Sequence, residues 1–275
     1  MKNLSRVYIA LCFIILYAPI AVLMLFSFNS TSSTGVFSGF SLYWYRELFK
    51  NANVFNALRN TLILAVTSSV TATVIGTGAA VGLDRMRSRR MRGVITSLTN
   101  VPMMNPDIVT GVSMMLLFVF VGTLVGATQD KLNFWTLFIA HVTFNLPYVI
   151  LNITPKLKQM DRNLPEAAQD LGCTPLQSFF KVELPAIMPG VLSGLIMAFT
   201  LSLDDFVISY FTSGSDFQTL PILIYSMTKK EVKPDIYALS TLIIITILAL
   251  LLLSNFAGSR SDGRRKSRKT KKEVH

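Results

Sequence analysis

Three carboxylates interrupt otherwise apolar stretches of this sequence: Asp107, in MNPDIVTGV, and the neighbours Asp204 and Asp205, in SLDDFVISYF. An ionised side chain inside a hydrocarbon layer is costly, so by default it marks a solute pathway or a partner. Carboxylates hold ammonium groups through charge-assisted hydrogen bonds, and aromatic faces accept cations and the methylenes between them. Phe206, Tyr210 and Phe211 follow the aspartate pair directly. That pattern suits an amine, above all a linear polycation. The same residues have a second use, in which Asp107 and one of the pair cap helix breaks or bond between helices while the phenylalanines face lipid or core.

A second group of residues has the chemistry of docking. In the segment 155–190, Leu164, Ala167, Ala168 and Leu171 recur at helical spacing, which predicts a short amphipathic helix over about 165–171. Pro165 suits its first turn and Gly172 its C-terminal cap, where a positive φ costs glycine little. Thr174 caps a second short helix that Pro175 opens, Phe179, Phe180 and Val182 give it an apolar face, and Pro185 and Pro189 are expected to end it and begin the next segment. A helix, glycine turn, helix unit of this kind is a docking knob for a soluble partner.

The elements that position both groups are membrane spans. Half of the residues are hydrophobic (51%), and mean hydropathy is +0.50. The apolar residues come in long runs at 7–28, 57–83, 94–121, 133–153, 188–211 and 237–256, each long enough to cross a bilayer. The first run follows Lys2 and Arg6 as a signal peptide would, but its length of about 33 Å as a helix exceeds a signal core, and it is expected to be retained. Six spans place both termini on one side. Lys and Arg number two before the first span, five in 84–93, four in 154–187 and eight after 256, against six in the alternate loops. The positive-inside rule therefore makes the termini 1–6 and 257–275, and the loops 84–93 and 154–187, cytoplasmic.

With that orientation, Asp107 lies 13 residues past Val94, a rise of about 20 Å, near the middle of the third span or slightly outward. Asn100, Pro102, Asn105 and Pro106 precede it and are expected to break or kink that span, exposing backbone that is tolerated only along a cavity or against protein. Asp204 and Asp205, 16 and 17 residues past Met188 and about 24 Å along, fall in the outer half of the fifth span. His141, Asn145 and Pro147 in the fourth span read as an interhelical hydrogen-bonding or kinking set, with a proton relay as the other use. Gly76, Gly78, Ala79, Ala80 and Gly82 form a close helix-packing surface. Trp44 and Tyr45 are interfacial anchors on a short external helix.

The formal charge of +11 invites a nucleic-acid reading. The basic residues concentrate in cytoplasmic loops and in the low-complexity tail 257–275, which is expected to be disordered and drawn to anionic lipid headgroups, with no nucleic-acid partner. The sequence carries no phosphate loop, no HExxH and no cysteine or histidine cluster at metal-ligand spacing, so no catalytic residue, no metal and no cofactor is assigned to it. Cys12 and Cys173 are expected to be unpaired thiols.

The string EAAQDLGCTPLQSFFKVELPAIMPG resembles the EAA loop of permeases of binding-protein-dependent ABC importers. Glu166, Ala167, Ala168, Gly172, Leu184 and Pro185 fall on that pattern, and Val182 and Glu183 stand where the family often has an isoleucine before the LP pair. Residues 44–65, 104–118 and 202–214 look like polyamine permeases, the second membrane subunit of spermidine and putrescine importers. Permeases for ferric iron and for oxyanions share the loop and remain alternatives.

The resemblance implies an all-α membrane protein with the type I importer permease fold, its core running from the second span onward and the first helix packed against a partner. It implies a homologous second permease, a cytoplasmic ATPase dimer that holds ATP and magnesium and takes the loop in a cleft, and an external binding protein delivering substrate to 34–56 and 212–234. Asp107, Asp204, Asp205, Phe206 and Tyr210 are the pathway candidates. An ion-coupled secondary transporter is the rival class; six spans, no evident inverted repeat and a docking loop it does not need stand against it. A channel would show a filter segment, and none is present.

Overall fold

The computed structural model describes residues 2–31, 36–126, 131–161, 163–215, 217–229, 235–246 and 248. The tail expected over 257–275, and most of the last ten residues of the expected sixth span, lie outside these. The helices in chain order are α1 (Lys2–Phe26), α2 (Tyr43–Lys50), α3 (Ala52–Arg85), α4 (Arg89–Met104), α5 (Asp107–Leu124), α6 (Phe134–Gln159), α7 (Asn163–Asp170), α8 (Pro175–Ser178), α9 (Leu184–Asp204), α10 (Val207–Thr212) and α11 (Leu220–Thr228). An apolar helix at Asp235–Thr246 follows, α12. Among the described residues, five helices are long and apolar enough to cross a membrane, at Arg6–Phe26, Ala52–Arg85, Asp107–Leu124, Phe134–Gln159 and Pro175–Asp204. Together with α12 they correspond to the six expected spans.

The chain divides into two compact units, Met1–Asn56 with Leu223–His275, and Ala57–Ile222. In the first unit, α1 carries its apolar side chains on the outside along its whole spanning length. Its end is tied to α2: Trp44 donates its indole N–H to the Asn29 carbonyl at 2.9 Å, and Ser27 and Tyr45 share a hydrogen bond of 2.7 Å. The short helix expected at Trp44 and Tyr45 is thus present, with its polar atoms spent on the end of α1.

The second unit is built on α3, α6 and α9. Without water between helices there is no hydrophobic drive to hold them together, so close approach and hydrogen bonds do. On α3 the buried positions include Ala57, Thr61, Leu64, Ala65, Ser68, Ser69, Ala72, Thr73, Thr77, Ala80 and Val81, a helical stripe made mostly of small and hydroxyl side chains. Gly76 lies in the same stripe, where an added Cβ would come within 2.7 Å of Val149 of α6. Gly78 and Gly82 point away, with nothing within 4 Å of such a Cβ. The expected packing surface is therefore split between two faces of α3. On α9, Gly190 lets the backbone reach α6, where a Cβ would meet Lys156 at 2.8 Å and the Asn152 carbonyl at 3.0 Å.

Two helix bounds differ from expectation for physical reasons. The second short helix does not end at Pro185 and Pro189: a continuous helix runs Pro175–Asp204. A π-turn at Phe179–Glu183 makes this possible, the Leu184 N–H bonding the Phe179 carbonyl five residues back. Proline at 185 has no N–H to offer and its ring crowds the carbonyl four residues earlier, and the wider turn relieves both. The expected fifth span 188–211 is also not one helix. It breaks after Asp204, where Asp205 is extended (φ −64°, ψ 122°), and resumes as α10.

Candidate functional site

The three intramembrane acids sit at two helix breaks. The first is the expected one in the third span, although α4 passes through Pro102 and the chain turns only at Asn105 (φ −85°, ψ 139°) and Pro106. Proline at 106 cannot continue α4 and disfavours helical backbone at 105, so α5 starts afresh at Asp107. Its carboxylate lies in the first turn of α5, where the exposed N–H groups favour negative charge. The Val109 and Thr110 N–H groups bond the Pro106 carbonyl at 2.9 and 3.2 Å, and Asn105 donates to the Thr110 hydroxyl at 3.3 Å.

The second break is held by Asp205 itself. Its carboxylate accepts from the Ile208 and Ser209 N–H groups at 3.3 and 2.8 Å, which caps α10. His141 of α6 approaches it at 3.6 Å and shares a 3.0 Å hydrogen bond with the Ser209 hydroxyl. The Asp205 side chain is buried, whereas Asp204 and Asp107 are exposed. Neither Asp107 nor Asp204 carries an ion pair among the described residues.

Packing of α5 on α10 brings the breaks together. Gly111 admits it, since a Cβ there would lie 3.0 Å from the Phe211 ring and 3.5 Å from the Val207 carbonyl. Phe206 lies beside Tyr210, ring centroids 5.4 Å apart, and Tyr210 is 48% exposed. Asp107 and Asp204 are exposed at the two breaks, while Asp205 caps the second and Phe211 packs against Gly111. Among the described residues no group of three or more His, Cys, Asp or Glu is placed to hold a metal ion.

Sequence reasoning missed the polar network behind these breaks. Ser68 of α3 and Ser202 of α9 share a 3.0 Å hydrogen bond, and Asn145 of α6 donates to the same Ser202 hydroxyl at 2.7 Å. Asn145 was legible as an interhelical donor; its serine partners lie 57 and more residues away and have no local signal.

The docking unit forms from its own sequence. Glu166, Ala167 and Ala168 lie on α7, and Gly172 adopts φ +89°. The Cys173 N–H bonds the Ala168 carbonyl at 3.1 Å and the Gly172 N–H bonds that of Gln169 at 2.9 Å, the paired bonds of a glycine helix stop. Thr174 and Gln177 cap α8 reciprocally, at 3.3 and 3.1 Å, with Pro175 in the first turn. The Ser178 hydroxyl bonds the Pro165 carbonyl at 3.0 Å and folds α8 back on α7. Apolar side chains project from the finished unit: Leu171 is 87% exposed, Leu176 72% and Phe180 60%. Leu184 and Pro185 lie inside the continuous helix just beyond it.

At its root, Arg85, the last residue of α3, meets Glu183 of the π-turn at 2.5 Å; the Glu183 side chain is 4% exposed. A cleft of about 530 Å³ opens beside this pair, lined by Arg87, Arg89 and Arg92 on one side and Glu166 and Gln169 on the other.

Residues 72–267 match the family described as "Binding-protein-dependent transport system inner membrane component". The chain is 39% identical to the putrescine transport system permease protein PotI of Escherichia coli (strain K12), over 94% of this chain and 92% of that one. It is 38% identical to the spermidine/putrescine transport system permease protein PotC of Haemophilus influenzae, over 90% and 93%. Among solved structures, a chain of a bacterial ABC transporter involved in import of the acidic polysaccharide alginate superposes with a TM-score of 0.70, at 17% identity, over 94% of this chain and 98% of that one. A chain of the MetNI methionine ABC transporter, inward facing, gives 0.57 at 20% identity, over 75% and 93%. These two likenesses establish the type I importer permease fold.

Proposed function

This chain belongs to the family of binding-protein-dependent transport system inner membrane components, and from that membership we propose that it forms the pathway by which an ATP-driven importer carries polyamines, spermidine or putrescine, across the membrane. It is a non-catalytic membrane subunit, and ATP and magnesium act on a partner ATPase. The observation that carries the substrate class is the likeness, over nearly the full length of each, to permease proteins of putrescine and spermidine/putrescine systems. The site adds a physical reason: Asp107 and Asp204 are exposed carboxylates at two helix breaks, with no ion pair among the described residues.

In this reading both termini and the docking unit face the cytoplasm. An external binding protein delivers substrate to the loops 34–56 and 212–234. A homologous second permease closes the pathway on its other side. Paired ATPases grip the two docking units, and the pathway opens outward or inward as they close on ATP and separate after hydrolysis. The exposed leucines and phenylalanine of α7, α8 and the π-turn support a protein partner at that point, since an apolar knob of this kind is otherwise left in water.

The test is uptake of labelled spermidine, putrescine, ferric iron and sulfate into proteoliposomes holding this chain with its permease and ATPase partners and the external binding protein. ATP-dependent uptake of a polyamine supports the proposal. A complex that assembles and carries only iron or sulfate overturns the substrate class, and transport by the chain alone without ATP overturns the importer reading.

A further inference from the structure

Glu183 is the member of the docking segment that neither the EAA pattern nor the pathway uses. It closes the π-turn immediately before Leu184 and Pro185 and is 3% exposed. Arg85 reaches its Oε1, while Oε2 has no partner among the described residues, so Arg85 is the sole hold on this buried charge. Asp84, the acid nearest to Arg85 in sequence, is taken by Arg92 at 3.2 Å and does not compete.

The pair joins α3 to α9, and α9 leads to Asp204 and Asp205. Arg85 ends α3 and Glu183 precedes α9. About 25 Å along the same helices, α3 and α9 are joined again by the bond between Ser68 and Ser202, to which Asn145 adds a tie from α6. Two residues past Ser202, α9 ends at Asp204 and the second break begins. Between these levels the two helices meet through α6, whose Val149 lies against Gly76 of α3 and Gly194 of α9, in an apolar cluster that includes Ala72, Ala80 and Ala198. Packed apolar groups resist separation more than they resist sliding along the axis, whereas an ion pair whose carboxylate is buried, with the Arg85 side chain about half exposed, ties both distance and register.

We propose that Arg85 and Glu183 are positioning residues for transport: their ion pair transmits movement of the docking unit into α3 and α9 together, so that both move at the acid-bearing break. The proposal rests on the reading that an ATPase grips α7. A coupling role requires a measured change in coupling and not spatial intermediacy alone.

The experiment uses the complete complex in proteoliposomes and reads the ratio of ATPase activity with loaded external binding protein to activity without it, alongside the amount of ATPase retained on purification. Arg85→Gln and Glu183→Gln are expected to retain the ATPase and to lower the ratio at least fivefold. Arg85→Lys, which keeps the charge, is expected to keep more than half of it, and the exchange Arg85→Glu with Glu183→Arg to recover part of what either glutamine variant loses. A ratio within twofold of wild type in both glutamine variants overturns the proposal. So does equal loss of the ATPase in Arg85→Lys and Arg85→Gln, which would make the pair a structural brace only. Substrate identity does not enter this ratio: stimulation by an iron- or oxyanion-loaded binding protein would sink the polyamine reading and leave the Arg85 comparison intact.

Discussion

Asp107 and Asp205 are the same residue type at two breaks of the same unit, and their surroundings divide the work between them. Asp205 spends its oxygens on two N–H groups and stands against His141, so its removal is a stability event. Asp205→Ala leaves α10 uncapped and is expected to cost about 1 kcal/mol, read as a lower unfolding midpoint in detergent, whereas Asp205→Asn keeps one of the two accepting oxygens and recovers part of that loss. Asp107 has no such duty. A charge-assisted hydrogen bond is worth about 1.5–3 kcal/mol, so Asp107→Asn is expected to weaken polyamine uptake roughly tenfold or more in KM, with the unfolding midpoint unchanged. Equal loss of stability in both variants would mean that Asp107 holds helices and not substrate.

At the scale of elements, glycine positions separate tight crossings from open faces. Gly190 lies where a Cβ would press on Lys156 and the Asn152 carbonyl, and Gly78 where it meets nothing. Gly190→Val is expected to destabilise the chain by about 1–3 kcal/mol through overpacking, while Gly78→Val leaves the unfolding midpoint of the isolated subunit within a degree or two. Much of this architecture was written in local sequence. The Asn105 and Pro106 pair marks its own break, and Gly172, Thr174 and Pro175 mark the docking unit residue by residue, because caps and turns are decided within a few positions. The second break carries no glycine or proline; Asp205 makes it with its side chain, and a capping aspartate in an apolar run reads equally well as a ligand. The π-turn and the Arg85 contact were invisible for a related reason. Ninety-eight residues separate Arg85 from Glu183, and the only local sign was a glutamate in an apolar stretch, which announces that a partner exists without saying where.

For the whole molecule, the distribution of exposed apolar surface says where companions belong. The spanning part of α1 has none of its residues buried, in keeping with a helix whose neighbours are lipid or another subunit. The docking unit is another such place, with Leu171, Leu176 and Phe180 exposed, and in the proposed complex its neighbour is a soluble protein. Leu171→Ser combined with Phe180→Ser is expected to lower ATPase retained on purification at least fivefold and polyamine uptake with it, while the unfolding midpoint of the chain stays put, since neither side chain is part of a core. Retention at the wild-type level would move the docking site elsewhere on the cytoplasmic face.

Cys173 closes the glycine stop of α7 with its backbone N–H, which leaves its partly exposed thiol idle on the docking unit, and the other cysteine, Cys12, lies in a span. A membrane-impermeant maleimide applied from the cytoplasmic side should therefore label one site on the unmodified protein, and a fluorophore placed there would brighten, dim or become shielded as the ATPase engages. In the proposed complex Cys173 thus offers a native labelling position on the docking unit, from which its engagement can be followed without an engineered residue.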